Sequence, residues 1–145
     1  MKISHTPFDT IFYSIEETIK AYRKLSLKEI KNAISDITVD QALILQMIND
    51  KQLTQTEIAD LIFKDYASMT RIIGLMVKKN YLIKTTNEND RRASVLKTSP
   101  KGELALKQLI PIINQNRETA LNNLTIEDIN NLKHILNKIN QNCKK

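Results

Sequence analysis

A short polar segment, Asn89-Asp90-Arg91-Arg92, holds the residues of this chain best suited to specific binding. The chain has 22 Lys and Arg residues, yet only five are Arg, and three of those lie between residues 71 and 92. Arg presents a planar fork of donors that matches phosphates and base edges, which Lys does not. An acidic neighbour such as Asp90 can hold one Arg extended through a charge-assisted hydrogen bond. The segment therefore predicts contact with a polyanion.

The same segment lies between two strand-like runs, residues 81–86 and 93–98. Residues 87–90 are rich in turn formers, so the runs are predicted to form a β-hairpin with Asp90, Arg91 and Arg92 at its tip. An Arg at such a tip can enter the minor groove of DNA, where the potential is most negative over narrow A·T tracts. The alternative is a solvated turn with a surface salt bridge worth about 0–1 kcal/mol.

Two short helices are predicted directly before this hairpin. Thr54 and Glu57 form a capping box that starts the first, and Asp65 is a suitable N-cap for the second. A connection of about three residues, 63–65, is typical of a helix-turn-helix, whose second helix inserts its N-terminal half into the major groove. The outward residues of that helix are predicted to be Tyr66, Ala67, Ser68, Thr70 and Arg71. Without the hairpin, the two short helices could equally well be an ordinary packed pair with a polar outer face.

Longer amphipathic helices flank this centre. Thr6-Pro7 is predicted to start the first, which continues through Ile34, and Thr38 with Gln41 starts the second. Ser99-Pro100 starts the fifth helix, which Pro111 is expected to kink or divide. The last helix begins at Thr125, and its apolar residues alternate by three and four positions, as in a helix-packing seam.

Composition and charge fit one intracellular domain without catalytic machinery. The excess positive charge is concentrated in residues 54–102, which carry nine basic and five acidic side chains. The single cysteine, Cys143, excludes an internal disulfide, and His5 and His134 lack neighbouring ligands, so no metal or cofactor is expected. Because no long apolar run or signal-like N-terminus occurs, we expect a cytoplasmic protein with no membrane partner. Neither a glycine-rich phosphate loop nor a Cys/His pair indicates an enzyme.

The central third of the chain resembles the winged helix of the MarR family of bacterial transcription regulators. The spacing of the matching segments fits the family without gaps, and these segments are residues 53–59, 68–73, 78–83, 89–92 and 99–103. The resemblance implies a mainly α fold with a small β-hairpin wing. It places a winged helix-turn-helix at residues 38–99 and a helical dimerisation region at residues 1–37 and 100–145. It also implies an obligate homodimer whose two winged helices read a pseudo-palindromic operator.

The resemblance assigns roles to individual residues. Arg92 is expected in the minor groove and Arg91 on a backbone phosphate, and the full set of predicted DNA contacts is Gln55, Tyr66, Ala67, Ser68, Thr70, Arg71, Asp90, Arg91 and Arg92. The predicted dimer contacts are Phe8, Ile11 and Ile15 in the first helix and Ile129, Leu132, Leu136 and Ile139 in the last. The alternative is that these apolar stripes pack into the hydrophobic core of a single chain.

Four residues depart from the family pattern. Phe63 stands in the turn where Gly is common, so that turn is expected to be wider or repacked. Asn80 replaces a Gly after the recognition helix, but Asn tolerates the left-handed conformation. Gly74 and Val77 stand where acidic residues are frequent, and Gly74 costs about 1 kcal/mol of helix propensity.

The resemblance also implies a site for a small aromatic or anionic effector between the dimer helices and the winged helix. Phe12, Tyr13 and Tyr22 are the candidates to line it, with a filled core as the alternative. The predicted function is a transcription regulator, usually a repressor, that binds double-stranded DNA as a homodimer and is released by the effector. The alternative function is a winged-helix protein-interaction module that has lost DNA binding through Phe63, Gly74 and Val77.

Overall fold

The computed structural model describes residues 6–50, 52–85, 89–90 and 94–145, and within them the chain forms helices and one small sheet. The helices are α1 (Ile11–Ala33), α2 (Val39–Asp50), α3 (Gln55–Leu61), α4 (Tyr66–Lys78), α5 (Pro100–Ala120) and α6 (Ile126–Cys143). The antiparallel sheet has the order β1-β3-β2, with strands β1 (Leu53–Thr54), β2 (Leu82–Thr85) and β3 (Val95–Thr98). The predicted fold class is confirmed, and β1 adds a third strand to the predicted hairpin.

The helices begin at the polar residues that the sequence marks as caps. In each case the cap side chain accepts a hydrogen bond from the backbone N–H three residues later, which satisfies one of the unpaired donors of the first turn. These caps are Thr38, Thr54, Asp65, Ser99 and Thr125. Local sequence therefore determines where five of the six helices start.

Two helix predictions need correction. Thr6 caps a separate 3-10 turn, Pro7–Asp9, and α1 starts only after Thr10, whose hydroxyl accepts the N–H of Tyr13 at 3.3 Å. The fifth helix is not divided, because α5 runs through Pro111 without interruption. Pro111 and Lys107, whose carbonyl loses its helical partner, are both exposed, so water can supply the missing donor.

One hydrophobic core fixes α4 to the rest of the chain. The face of α4 formed by Met69, Ile73 and Met76 is fully buried. It packs with α3 and β2, while α2 packs against β3 and α5, and α5 packs against α1. Because its inner face is anchored in this way, α4 presents its opposite face to the surface in a fixed orientation.

The terminal apolar stripes are not part of this core. Helix α6 has no buried residue, and Phe8 and Leu132 are 71% and 54% exposed. Ile11 is exposed too, and the remaining residues of the predicted dimer stripe are half-buried: Ile15, Ile129, Leu136 and Ile139. A core within one chain therefore does not account for the seam of α6. No helix in the described part of the chain is long and apolar enough to span a membrane.

Candidate nucleic-acid interface

The second helix of the helix-turn-helix carries a polar outer face. Ala67, Thr70 and Arg71 are exposed, and Tyr66 and Ser68 are half-buried at its first turn. All five lie on the N-terminal half of α4, the part of a recognition helix that reaches base edges in the major groove. Their surface position agrees with the sequence analysis, and their contact with DNA stays a prediction.

Asp65 fixes the start of this helix and remains charged. Its carboxylate accepts the backbone N–H of Ser68 at 2.7 Å. That hydrogen bond is the main reason why the pKa of Asp65 lies below its usual value, and the positive charges of Arg71 and Lys64 lower the pKa further. The first turn of α4 is therefore closed by a carboxylate that is charged at neutral pH, and Arg71 is close enough to interact with that charge.

Gln55 is a correction to the predicted set of DNA contacts. Its side chain is only 1% exposed, and its Nε2 donates to the Thr70 hydroxyl at 2.8 Å. The Thr70 hydroxyl in turn donates to the carbonyl of Tyr66 at 3.0 Å. Because Thr54 starts α3 where it does, Gln55 falls on the face that packs against α4. Its side chain therefore orients Thr70 and is not itself available to DNA.

The turn between α3 and α4 keeps the path expected for a glycine. Phe63 has a left-handed backbone, with φ of 61°, and its side chain is 94% exposed. The N–H of the next residue, Lys64, donates to the Ala59 carbonyl at 2.9 Å and closes the turn. Asn80, which also departs from glycine, is left-handed as expected, with φ of 70°. The departure at Phe63 therefore changes what the turn exposes and not how it is folded.

The wing follows as an antiparallel hairpin whose base is anchored in the core. Its register pairs Leu82 with Thr98 and Thr85 with Val95, and Leu96 is fully buried. Asn89 and Asp90 are exposed near the tip, whereas Arg91 and Arg92 lie outside the described residues.

Two lysines on the wing strands were missed by sequence reasoning. Lys84 on β2 and Lys97 on β3 are both exposed, and they add positive charge to the hairpin below its tip. Their signal was available in the sequence, because each is a basic residue within a strand-like run that leads to the predicted wing tip.

A polar junction connects the base of the wing to the segment after α1 and to the start of α5. The Tyr81 hydroxyl donates to the Asp36 carboxylate at 2.7 Å, and the Lys101 ammonium lies 4.4 Å from the centre of the Tyr81 ring. Burial, followed by the Asp36 carboxylate, raises the pKa of Tyr81 to about 12. The hydrogen bond from Tyr81 is the main cause of a lowered pKa at Asp36. Lys79 adds a 2.7 Å hydrogen bond to the carbonyl of Asp36.

Gly102 is required at this junction. A Cβ at this position would lie 2.2 Å from the Tyr81 carbonyl oxygen, far inside van der Waals contact. Ser99 holds the two segments together, since its hydroxyl donates to the Asn80 carbonyl at 2.5 Å and accepts the N–H of Gly102 at 3.0 Å. The segment Ser99-Pro100-Lys101-Gly102 therefore joins the end of α4 to the start of α5.

A cavity of about 250 Å³ lies between α1, α2 and α5. Its wall is mainly apolar and includes Tyr22, but Phe12 and Tyr13 do not line it, because they lie on the exposed first turns of α1. The polar groups of the wall include Arg23, Arg117 and Asn116. Asn116 is 3% exposed, and its Nδ2 has no hydrogen-bond partner. An unpaired buried donor in a wall that also contains two arginines favours a ligand that carries acceptor oxygens.

Comparison with known proteins points to one family. The model of the MarR family matches residues 35–93. The HTH-type transcriptional regulator TcaR of Staphylococcus aureus (strain Newman) is 28% identical over 129 residues, which cover 87% of this chain and 84% of that protein. The multiple antibiotic resistance protein MarR of Escherichia coli is 26% identical over 106 residues, covering 72% of this chain and 74% of that protein.

Solved structures share the fold at lower identity. A mutant of E. coli MarR complexed with operator DNA superposes with a TM-score of 0.79 at 22% identity, covering 92% of this chain and 98% of that one. Bordetella bronchiseptica BpsR, whose DNA binding is regulated by 6-hydroxynicotinic acid, superposes with a TM-score of 0.81 at 14% identity. That match covers 95% of this chain and 98% of that one, so the shared architecture includes the long flanking helices as well as the winged helix.

Proposed function

Because the chain belongs to the MarR family of transcription regulators, we propose that it is a homodimeric, sequence-specific DNA-binding repressor that acts on a pseudo-palindromic operator. Members of this family regulate transcription and are not enzymes. The observation that carries the proposal is the polar outer face of α4, which exposes Thr70 and Arg71 while its inner face is locked into the core. A solved relative with this fold is complexed with operator DNA.

The homodimer is supported by the apolar surface at both ends of the chain. Phe8 and Ile11 before and at the start of α1, and Leu132 on α6, are more than half exposed. Apolar surface of this extent is a common mark of a protein interface. A second copy of the chain would cover both stripes and place the two recognition helices in symmetric positions, as a pseudo-palindromic site requires.

Each group at the interface has a proposed role in reading DNA. Arg71 and Thr70 contact base edges in the major groove, and Ser68 assists at the helix start. Arg92 enters the minor groove and Arg91 contacts a backbone phosphate. Phosphate contacts make affinity fall steeply as salt rises, because binding releases the counterions of DNA.

Variants at these positions test the proposal on a duplex enriched from a random pool. Arg71→Ala and Arg92→Ala should each weaken binding by about 1–3 kcal/mol, with lost discrimination at major-groove and minor-groove positions respectively. The control is Lys138→Ala, which removes one exposed positive charge from α6. Equal affinity of the parent and both arginine variants across a salt series would contradict the proposed interface.

We also propose that a small aromatic acid acts as the effector and binds in the cavity lined by Arg23, Arg117 and Asn116. The support is the unpaired Nδ2 of Asn116 in a cavity wall that also contains two arginines, together with the regulation of BpsR by 6-hydroxynicotinic acid. Calorimetric titration with a panel of aromatic acids that includes this compound tests the site. Asn116→Leu removes the donor at similar volume and should abolish binding. A variant that binds the acid as tightly as the parent would place the effector elsewhere.

A further inference from the structure

One carboxylate connects the cavity wall to the turn of the helix-turn-helix. Asp40, in the first turn of α2, accepts a hydrogen bond from the Arg23 guanidinium at 2.6 Å. Its second oxygen lies 3.4 Å from the ammonium of Lys64. Arg23 belongs to α1 and lines the cavity, whereas Lys64 lies one residue before Asp65, the N-cap of the recognition helix. Asp40 is therefore shared by two cations, one in the cavity wall and one in the turn of the helix-turn-helix.

The burial of the three side chains suits an exchange of partners. The Asp40 side chain is 19% exposed, and those of Arg23 and Lys64 are 38% and 34% exposed. Partly hydrated ion pairs are weak enough to break and form again at little cost. A competing anion that reaches the guanidinium from the cavity can therefore displace Asp40, since it supplies the same charge-assisted hydrogen bonds.

We propose that Asp40 transmits occupancy of the cavity to the helix-turn-helix by changing from a pairing shared between Arg23 and Lys64 to a pairing with Lys64 alone. This inference rests on the proposed function and specifies its regulation. Before a ligand binds, Asp40 divides its negative charge between Arg23 at 2.6 Å and Lys64 at 3.4 Å, so the Lys64 ammonium keeps part of its attraction for a DNA phosphate. When the acidic group of a ligand takes Arg23, Asp40 keeps Lys64 as its remaining partner. The positive charge beside the recognition helix is then neutralised, and DNA affinity falls.

A double-mutant cycle tests this coupling without any ligand. Arg23→Gln withdraws the guanidinium from Asp40, as a bound acid would, and should weaken DNA binding about three- to ten-fold through the loss of one phosphate contact. Asp40→Asn frees Lys64 and should strengthen binding. In the Asp40→Asn background, Arg23→Gln should not change DNA affinity further, because the carboxylate that couples Arg23 to Lys64 is already absent. Lys24→Gln, which makes the same charge change one residue along α1, is the matched control and should leave affinity unchanged in both backgrounds.

The double-mutant cycle distinguishes a relay, meaning the coupling of Arg23 to Lys64 through Asp40, from a general effect of charge on DNA binding. If Arg23→Gln weakens DNA binding equally in the parent and in the Asp40→Asn variant, the effect is a long-range loss of charge and the proposal is overturned. Equal effects of Arg23→Gln and Lys24→Gln would overturn it as well. Thermal unfolding of every variant shows whether a lost affinity reflects a lost fold.

A second readout needs no DNA and so distinguishes failure of the relay from failure of the proposed function. Labelling with an amine-reactive ester, followed by mass spectrometry, measures how accessible the Lys64 nitrogen is. Arg23→Gln should slow labelling of Lys64 about two-fold or more, because Asp40 then pairs with Lys64 alone and shields its nitrogen more fully, and Asp40→Asn should speed it. Unchanged labelling of Lys64 in Arg23→Gln would refute the exchange whether or not the protein binds DNA. If labelling shifts as expected while no variant binds any duplex, the relay stands and the proposed function fails.

Discussion

The winged helix and the terminal helices bury their apolar residues to very different extents. In α4, Met69, Ile73 and Met76 form a face that its own chain covers completely. In α6 the apolar residues repeat at the same helical spacing, but none of them is buried. Amphipathic periodicity therefore predicts that a helix will pack without predicting what it packs against. The apolar face of α4 is covered within one chain, whereas the apolar stripe of α6 is left uncovered by its own chain.

The largest effect is expected from a charge placed on the terminal stripe. Leu136→Asp should weaken the proposed dimer by at least about 3 kcal/mol, roughly 100-fold, because a buried carboxylate would have no partner. Analytical ultracentrifugation across a concentration series measures this. DNA affinity should fall in parallel, because one winged helix cannot hold a two-fold site.

His134→Asp is the control for that prediction, since it adds the same charge two residues away on the opposite side of α6. It should leave the dimer intact. If the Leu136→Asp and His134→Asp variants sediment alike, the apolar stripe of α6 is not the dimer interface. Dimerisation would then not explain why this stripe is exposed while the apolar face of α4 is buried.

The second prediction uses the two glycines of the chain, Gly74 in α4 and Gly102 in the first turn of α5, two helices that each bury a face within one chain. Gly102→Ala should lower the free energy of unfolding by about 2–3 kcal/mol, because its Cβ would collide with the Tyr81 backbone carbonyl. Gly74→Ala should raise it by about 1 kcal/mol, because nothing beyond the adjoining backbone of its own helix lies within 4 Å of the added Cβ and Ala favours the helix. Urea unfolding measures both, and effects of the same sign would contradict the packing at the junction.

The third prediction concerns the hydrogen bond that joins Tyr81 to Asp36. Tyr81→Phe should lower the free energy of unfolding by about 1–2 kcal/mol at neutral pH, since it removes a bond to a charged group but keeps the ring under Lys101.

The effect of Tyr81→Phe should depend on pH in a defined direction. The pKa of Asp36 is lowered in the folded protein from its usual value of 3.8. Such a carboxyl stabilises the fold above its unfolded pKa, and this contribution is lost as pH falls through the lower folded pKa. The difference between parent and variant should therefore be constant above about pH 5 and shrink below about pH 4. A difference that grows toward acid pH would contradict the assignment.

The smallest effect is expected at the left-handed turn before α4. Phe63→Gly should raise the free energy of unfolding by up to about 1 kcal/mol, because it removes backbone strain and the Phe63 side chain is almost fully exposed. Asn80→Gly, at a position of similar φ, should change it by less than about 0.5 kcal/mol, because Asn tolerates this conformation. An equal gain at both positions would show that the side chain at residue 63 carries no strain of its own.

Features that depend on neighbouring residues were predictable from the sequence. Five helix starts, the short helix-turn-helix connection and the paired wing strands follow from caps, turn formers and periodicity. The misjudged start of the first helix has the same local origin, because Thr6 and Thr10 are both competent caps and only the second starts α1.

Features that depend on contacts between distant residues were not predictable. Gln55 is polar and lies at the start of a helix, so the sequence alone does not reveal that α4 covers it. Asp40 is 17 residues from Arg23 and 24 from Lys64, and no sequence pattern joins these three charges. The cavity likewise arises where α1, α2 and α5 meet, which explains why Tyr22 lines it and Phe12 does not.

The central claim is that two copies of this winged helix read one symmetric DNA site, and selection of bound duplexes from a random pool tests it most directly. We predict enrichment of an inverted repeat whose half-site centres lie about one helical turn apart, with affinity that falls steeply as salt rises. Arg71→Ala should relax the preference within each half-site, whereas Leu136→Asp should abolish the requirement for two half-sites. Recovery of no common sequence, or of a single asymmetric half-site bound by one chain, would contradict the account.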